Sequence, residues 1–128
     1  MAIRPQYHLR RTKTGIDAFD VRRLIKLSEH LEPFDIDPRT IPEMDEDHWY
    51  FQNVSLPTPR SILEHARLIN EADLSFPIIL DSAGRVMDGM HRVCRAIMED
   101  VAYIRAVQFQ EDPEPDFADC DPQALSYQ

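Results

Sequence analysis

The run from Phe76 to Arg92 constrains this chain more than any other part of it. Phe76-Pro-Ile-Ile-Leu80 is a short apolar stretch bounded by turn residues, the pattern of a buried strand. Asp81-Ser-Ala-Gly84 carries turn chemistry. Val86-Met-Asp88 reads as a returning strand, Gly89 as a sharp turn, and Met90 to about Glu99 as a helix with Met90, Val93, Cys94 and Ile97 on its core face. Strand, turn, strand, glycine and helix in so few residues call for an α/β domain in which the helix starts at the end of a strand. A helix start leaves backbone N–H groups without intrahelical partners and carries the positive end of the helix dipole. With a glycine that leaves room and two potential cations, His91 and Arg92, the turn has the makings of a phosphate site.

Elements on either side extend the pattern. Residues 1–14 read as an irregular or extended arm. Asp17 is placed to cap a helix running to about His30, with Asp20 at N3 and Val21, Leu24, Ile25, Ser28 and Leu31 at helical spacing. Three prolines break the stretch from Glu32 to Pro42 into extended and turn structure, with Asp35-Ile36 strand-like. Glu43 to Asp47 reads as a solvated acidic loop, and His48-Trp-Tyr-Phe51 as a short strand or buried anchor. Thr58-Pro59 is a helix start, a Thr cap with Pro at N1, and predicts a helix to about Glu71 with Ile62, Ala66 and Ile69 inward. Tyr103 to Phe109 reads as a further strand. The expected division is one domain over residues 1–109, with its motif core at 57–109, and a loosely held acidic, Pro-containing tail over 110–128.

Charge narrows the classes of function. The net charge is -9, and residues 111–121 hold six acids and no base, whereas seven of the fourteen basic residues lie in 4–26. Non-specific nucleic-acid binding is driven by phosphate neutralisation and calls for a basic surface; direct nucleic-acid binding is not expected here. No apolar run is long enough to cross a bilayer, and no signal-peptide pattern opens the chain. Cys94 and Cys120 form neither a disulfide framework nor a metal-ligand spacing. The expected setting is the cytoplasm, without membrane partners.

The order helix, strand, turn, strand, Asp88-Gly-Met-His-Arg92, helix, strand resembles the ParB/sulfiredoxin-like superfamily over Pro57–Phe109. The likeness is greatest to short bacterial ParB-like proteins without the DNA-binding domain. It implies a single α+β domain, a small mixed sheet with flanking helices, and binding of ATP, ADP or CTP, with or without Mg²⁺. Sulfiredoxins carry G-C-H-R; Met90 stands where their reactive Cys would be, and a thioether forms no thiolate. Partition ParB proteins carry G-E-R-R and a downstream helix-turn-helix; the Glu is missing here and nineteen residues follow Phe109. Free serine kinases carry D-G-H-H-R, which Asp88, Gly89, His91 and Arg92 match. Those kinases also use an upstream carboxylate as general base, for which Glu32, Asp35 and Glu43 are the candidates by position.

The residues therefore assigned to phosphate or nucleotide binding are Gly89, Met90, His91 and Arg92, with Arg95 on the same flank and Thr58 and Arg60 at another helix start. Asp88 and His91 are the catalytic candidates, and Asp88 is also the candidate Mg²⁺ ligand. Plainer roles compete: Asp88 satisfying the turn, Thr58 capping, His65 packed on the apolar side of its helix, Cys94 filling the core, Cys120 exposed in the tail. Three functions remain in order: a nucleotide or phosphate-ligand binding domain, in its sharper form a small-molecule phosphotransferase; a non-enzymatic nucleotide-sensing or protein-interaction module; and a DNA-partition factor. A homodimer or a protein partner is compatible with these readings.

Overall fold

A computed structural model describes residues 7–50 and 56–125 of the chain. The order of elements is β1 (Tyr7–Arg11), β2 (Ile16–Asp20), α1 (Val21–Ser28), β3 (Phe34–Ile36), two 3-10 turns (Pro38–Thr40 and Pro42–Asp45), α2 (Pro59–Glu71), β4 (Ile78–Leu80), β5 (Val86–Asp88), α3 (Met90–Met98) and β6 (Ile104–Gln108), followed by a 3-10 turn at Pro122–Ala124. The fold is α+β. Four strands form a mixed sheet in the order β3-β6-β4-β5, and β1-β2 is a separate antiparallel ribbon. In the mixed sheet β4 runs parallel to β6 and every other pairing is antiparallel.

Side-chain alternation along the strands builds a core on each face. Ile78, Leu80, Val86, Ile104 and Ala106 point to one face and meet Met90, Val93 and Ala96 of α3. Ile79, Met87 and Val107 point to the other and meet Phe19 of β2 and Leu24 of α1. The central run Ile78-Ile79-Leu80 is buried on both faces, which is why it is continuously apolar. Cys94 and Ile97 are half-buried at the margin of the first core, and Ala96 takes the inner position in that turn.

Four expectations change. The segment 7–20 is a two-stranded ribbon, not an arm and a helix start. Ile16, Ala18 and Phe19 are buried, and Asp20, not Asp17, caps α1 by accepting from the Arg22 amide at 2.9 Å. Helix α2 has the predicted span and the Thr58 cap, yet it is turned so that Ser61, His65, Leu68 and Ile69 face the body while Ile62 and Ala66 lie outward. Glu43 does not sit in a solvated loop; it is 4% exposed and accepts from the Val86 amide of the edge strand β5 at 2.8 Å. The segment after Phe109 is bound to the body. Asp112 accepts from the Ser82 amide and Arg10, Phe117 bridges Ala18, and Asp116 takes the Asp20 amide and Arg23. Its acids meet the basic residues of the N-terminal ribbon and α1, so the two charge-rich ends neutralise each other locally. Phe51, Gln52 and the first six residues lie outside the described residues. Among the described residues no helix is long and apolar enough to cross a membrane.

Candidate functional site

Gly89 joins β5 to α3 in a left-handed conformation, φ +108°, ψ +19°, and serves as the helix N-cap. A Cβ there would lie 2.7 Å from Ile78 Cγ2 and 2.8 Å from Arg92 Nη2, so the position excludes any side chain twice over. Among the described residues no side chain caps α3; its first main-chain bond runs from the Val93 amide to the Gly89 carbonyl at 3.1 Å. The amides at the start of this helix thus lie beside a cleft of about 270 Å³ lined by Tyr7, His8, His48, Trp49, His65 and Asp88–His91, among others.

One wall of that cleft is aromatic. His65 of α2 and His91 of α3 meet edge to edge, Nδ1 to Nε2, at 2.8 Å. The Trp49 ring stacks over both, with centroids 4.1 Å and 5.0 Å away and interplanar angles of 16° and 15°. Tyr50 stands at 90° to His65, and its hydroxyl meets Ser61 Oγ at 3.1 Å. Burial, the charge of a protonated His65 or His48, and Arg92 push His91 down to about 4, so it is a neutral ring at pH 7. Burial also lowers His65 and His48.

A second cavity of about 370 Å³ adjoins the first, and His8, Leu9, His48 and Val86 line both. It carries Arg10 and Arg85 with Glu43, Glu46 and Asp81. Asp81 accepts from Arg10 at 2.7 Å and from the Ala83 and Arg85 amides, and Arg85 pairs with Glu46. Glu43 Oε2 is held by the Val86 amide, with Arg85 Nε 3.8 Å away, whereas buried Oε1 has no hydrogen-bond partner among the described residues.

The structure divides the predicted residues. Gly89, His91 and Asp88 line the cleft. Met90 lines it too, but its side chain is 6% exposed and belongs to the core, so its amide is what it can offer a ligand. Arg92 does not project freely from the surface. Its side chain is 19% exposed, pairs with Asp88 at 3.0 Å and lies over Gly89. That same ion pair engages Asp88, the candidate metal ligand and catalytic group. Arg95 is drawn away from the turn: Nη1 donates to the Asn70 and Ala72 carbonyls at 2.8 and 2.6 Å, closing the end of α2, and Glu99 takes its other side. Thr58 caps α2, with its hydroxyl accepting from the Ser61 amide, and Arg60 is exposed; neither lines the cleft. Glu32 and Asp35 are exposed, leaving Glu43 as the upstream carboxylate beside a cavity. Burial pushes the Cys94 thiol up, which makes it a poor replacement for a reactive cysteine. Among the described residues no group of three or more His, Cys, Asp or Glu side chains is disposed to hold a metal ion.

Trp49, His8, His48 and Arg85 are the site residues that sequence reasoning missed. No family model, curated protein or solved structure matches this chain. The likeness of Asp88–Arg92 to other proteins therefore stands on the motif alone.

Two measurable consequences follow from these contacts. Arg92→Ala is expected to lower stability by about 1.5–3 kcal/mol, because it leaves the partly buried Asp88 carboxylate without its charged partner; urea denaturation of the variant checks this. The second concerns His8, which burial and then Arg10, His48 and Arg85 hold at about 3. Below its unfolded value near 6.5 the unfolded chain binds a proton that the folded chain refuses. Stability therefore falls as pH drops from 6.5 toward about 3. Melting temperature should decline across that window, and less steeply in His8→Phe, which keeps a ring beside Phe19 but cannot titrate.

Proposed function

We propose that the cleft beside Gly89–His91 binds the phosphoryl end of a nucleotide or phosphorylated small molecule, and that the chain is a small-molecule phosphotransferase. The observation that carries this reading is the content of the two ends of β5. At one end is the uncapped start of α3, a set of donors suited to an anion. At the other is Glu43, whose buried Oε1 lacks a partner among the described residues. The strand between Val86 and Gly89 spans roughly 10 Å at about 3.3 Å per residue. Glu43, which lines the adjoining cavity, would take the proton of the acceptor hydroxyl once a turn of its side chain brings Oε1 out to that cavity, and the α3 amides with His91 would meet the charge on the transferred group. ATP, ADP or CTP would bring Mg²⁺ on its own phosphates, with Asp88 beside them.

The second reading is a nucleotide-sensing module. It is favoured by one feature: Arg92, Arg10 and Arg85 are each already paired with a carboxylate, so charge neutralisation during transfer falls on amides and neutral imidazole. Calorimetric titration of the full chain with ATP, ADP, CTP and inorganic phosphate, with and without Mg²⁺, tests the shared premise. The expected result is saturable binding with a raised melting temperature. Absence of binding by all of them overturns both readings. Product formation with a panel of hydroxyl acceptors decides for the transferase, and tight binding without turnover decides for the sensor. DNA binding that weakens steeply with salt would restore the partition-factor reading instead.

A further inference from the structure

The contact between His65 and His91 has a chemical requirement that neither α2 nor α3 imposes alone. Two imidazoles that meet nitrogen to nitrogen at 2.8 Å share one proton: one ring donates and the other presents a lone pair. The form of each ring is therefore set by the other. The arrangement is held from several sides. Trp49 stacks on both rings, which lie within 22° of one plane, and Tyr50 stands against the edge of His65. His48 and Arg92 are the charged or titratable neighbours on the His91 side, Glu64 is the neighbour on the His65 side, and Asp88 at the end of β5 is taken up by Arg92. With Nε2 of His91 engaged, Nδ1 is the nitrogen left for a ligand in the cleft.

We propose that His65 is a positioning residue for His91: it donates Nδ1–H to His91 Nε2, holds His91 in the neutral Nδ1–H form, and so gives the anion site at the start of α3 a fixed uncharged donor. This rests on the cleft binding phosphate, because an anionic oxygen only accepts and is matched only by the form with the proton on Nδ1. A free histidine side chain favours the other form, with the proton on Nε2. His91 without its partner would then present a lone pair to the phosphate oxygen, which repels it. His65, half-exposed on α2, keeps its own Nε2 as a lone pair that water can satisfy.

Nitrogen-15 correlation spectra of the full chain at pH 7 read the two forms directly. Wild type should show His91 protonated on Nδ1. His65→Phe, which keeps a flat ring under Trp49 but no nitrogen, should move His91 to the Nε2–H form or to an exchanging mixture. His65→Gln, whose amide can donate to the same nitrogen, should restore it. Affinity for inorganic phosphate should fall about three- to ten-fold in His65→Phe, the loss of one hydrogen bond, and recover in His65→Gln. A wild-type His91 protonated on Nε2 overturns the proposal whatever the variants do, as does an unchanged form in His65→Phe. Wild-type protein that binds no phosphate and no nucleotide removes the reading of the cleft, while the spectra still decide whether His65 sets the form of His91.

Discussion

Glu43→Gln should lower phosphoryl transfer by about 10²–10⁴-fold, the range of a lost general base, while nucleotide affinity and melting temperature stay near wild type. The expectation follows from the two oxygens of this side chain having separate duties. Oε2 accepts from the Val86 amide, and among the described residues Oε1 has no partner. A glutamine can turn its carbonyl oxygen to Val86 and keep the edge of β5 satisfied, but it has no basic atom left for an acceptor hydroxyl. Glu43→Ala behaves differently. It orphans a buried main-chain donor at Val86 and should cost about 1–3 kcal/mol in folding as well as activity. Steady-state rates with the acceptor found in the panel above, together with melting curves for both variants, separate the roles. Wild-type turnover in Glu43→Gln would mean that the carboxylate only supports β5. Loss of nucleotide binding together with rate would place Glu43 in the binding site instead of the proton path.

How much of this could be read from residues alone depends on the range of the interaction. The strand–turn–strand–glycine–helix unit from Ile78 to Met98 was legible because each step is local. A continuous apolar run, an Asp-to-Gly turn and a helical spacing all act within a few residues. The Thr58-Pro59 start of α2 was legible for the same reason. The rotation of α2 was not. Its outward Ile62 and inward His65 differ by less than one turn, and what selects between them is His91 and Trp49, which lie 26 and 16 residues from His65. The ribbon at 7–20 is not legible locally, because Asp17 and Asp20 are both acceptable caps. Strand pairing with Tyr7–Arg11 and the bridge from Ala18 to Phe117 decide for Asp20. Glu43 looked like one acid among several in Glu43-Met-Asp-Glu-Asp47. Its burial depends on an edge-strand amide 43 residues later, and no periodicity in the sequence announces that. Helical spacing places Arg92 off the core and so within reach of a ligand, yet Asp88 lies four residues earlier on the same flank and is close enough to claim it.

Gly89→Ala should be the most destabilising single methyl added to this chain, and Gly84→Ala is its internal control. Both glycines have positive φ, +82° at Gly84 and +108° at Gly89, so both variants carry a backbone penalty of about 1–3 kcal/mol. Their surroundings differ. A Cβ on Gly84 meets only Gln108 Nε2 at 3.9 Å, an ordinary contact at the end of a flexible side chain. A Cβ on Gly89 meets Ile78 Cγ2 at 2.7 Å and Ile78 Cβ at 3.0 Å. Ile78 cannot retreat, because it is 1% exposed in the core beneath α3 and its strand is paired on both sides. Overpacking of that kind adds about 1–3 kcal/mol, so denaturant unfolding should show Gly89→Ala less stable than Gly84→Ala by roughly that difference. The methyl also displaces Arg92 Nη2, 2.8 Å from the new carbon, from its place over the turn. Because the clash with Ile78 lies at the start of α3, it shifts the amides proposed to hold the anion, so nucleotide binding should fall in the folded fraction of Gly89→Ala and be unchanged in Gly84→Ala, whose turn lies at the far end of β5. Equal stability of the two variants would mean that Ile78 yields, and that the close approach of β4 to the start of α3 is not what requires glycine there. Unchanged nucleotide binding in Gly89→Ala would remove the anion site from this turn altogether.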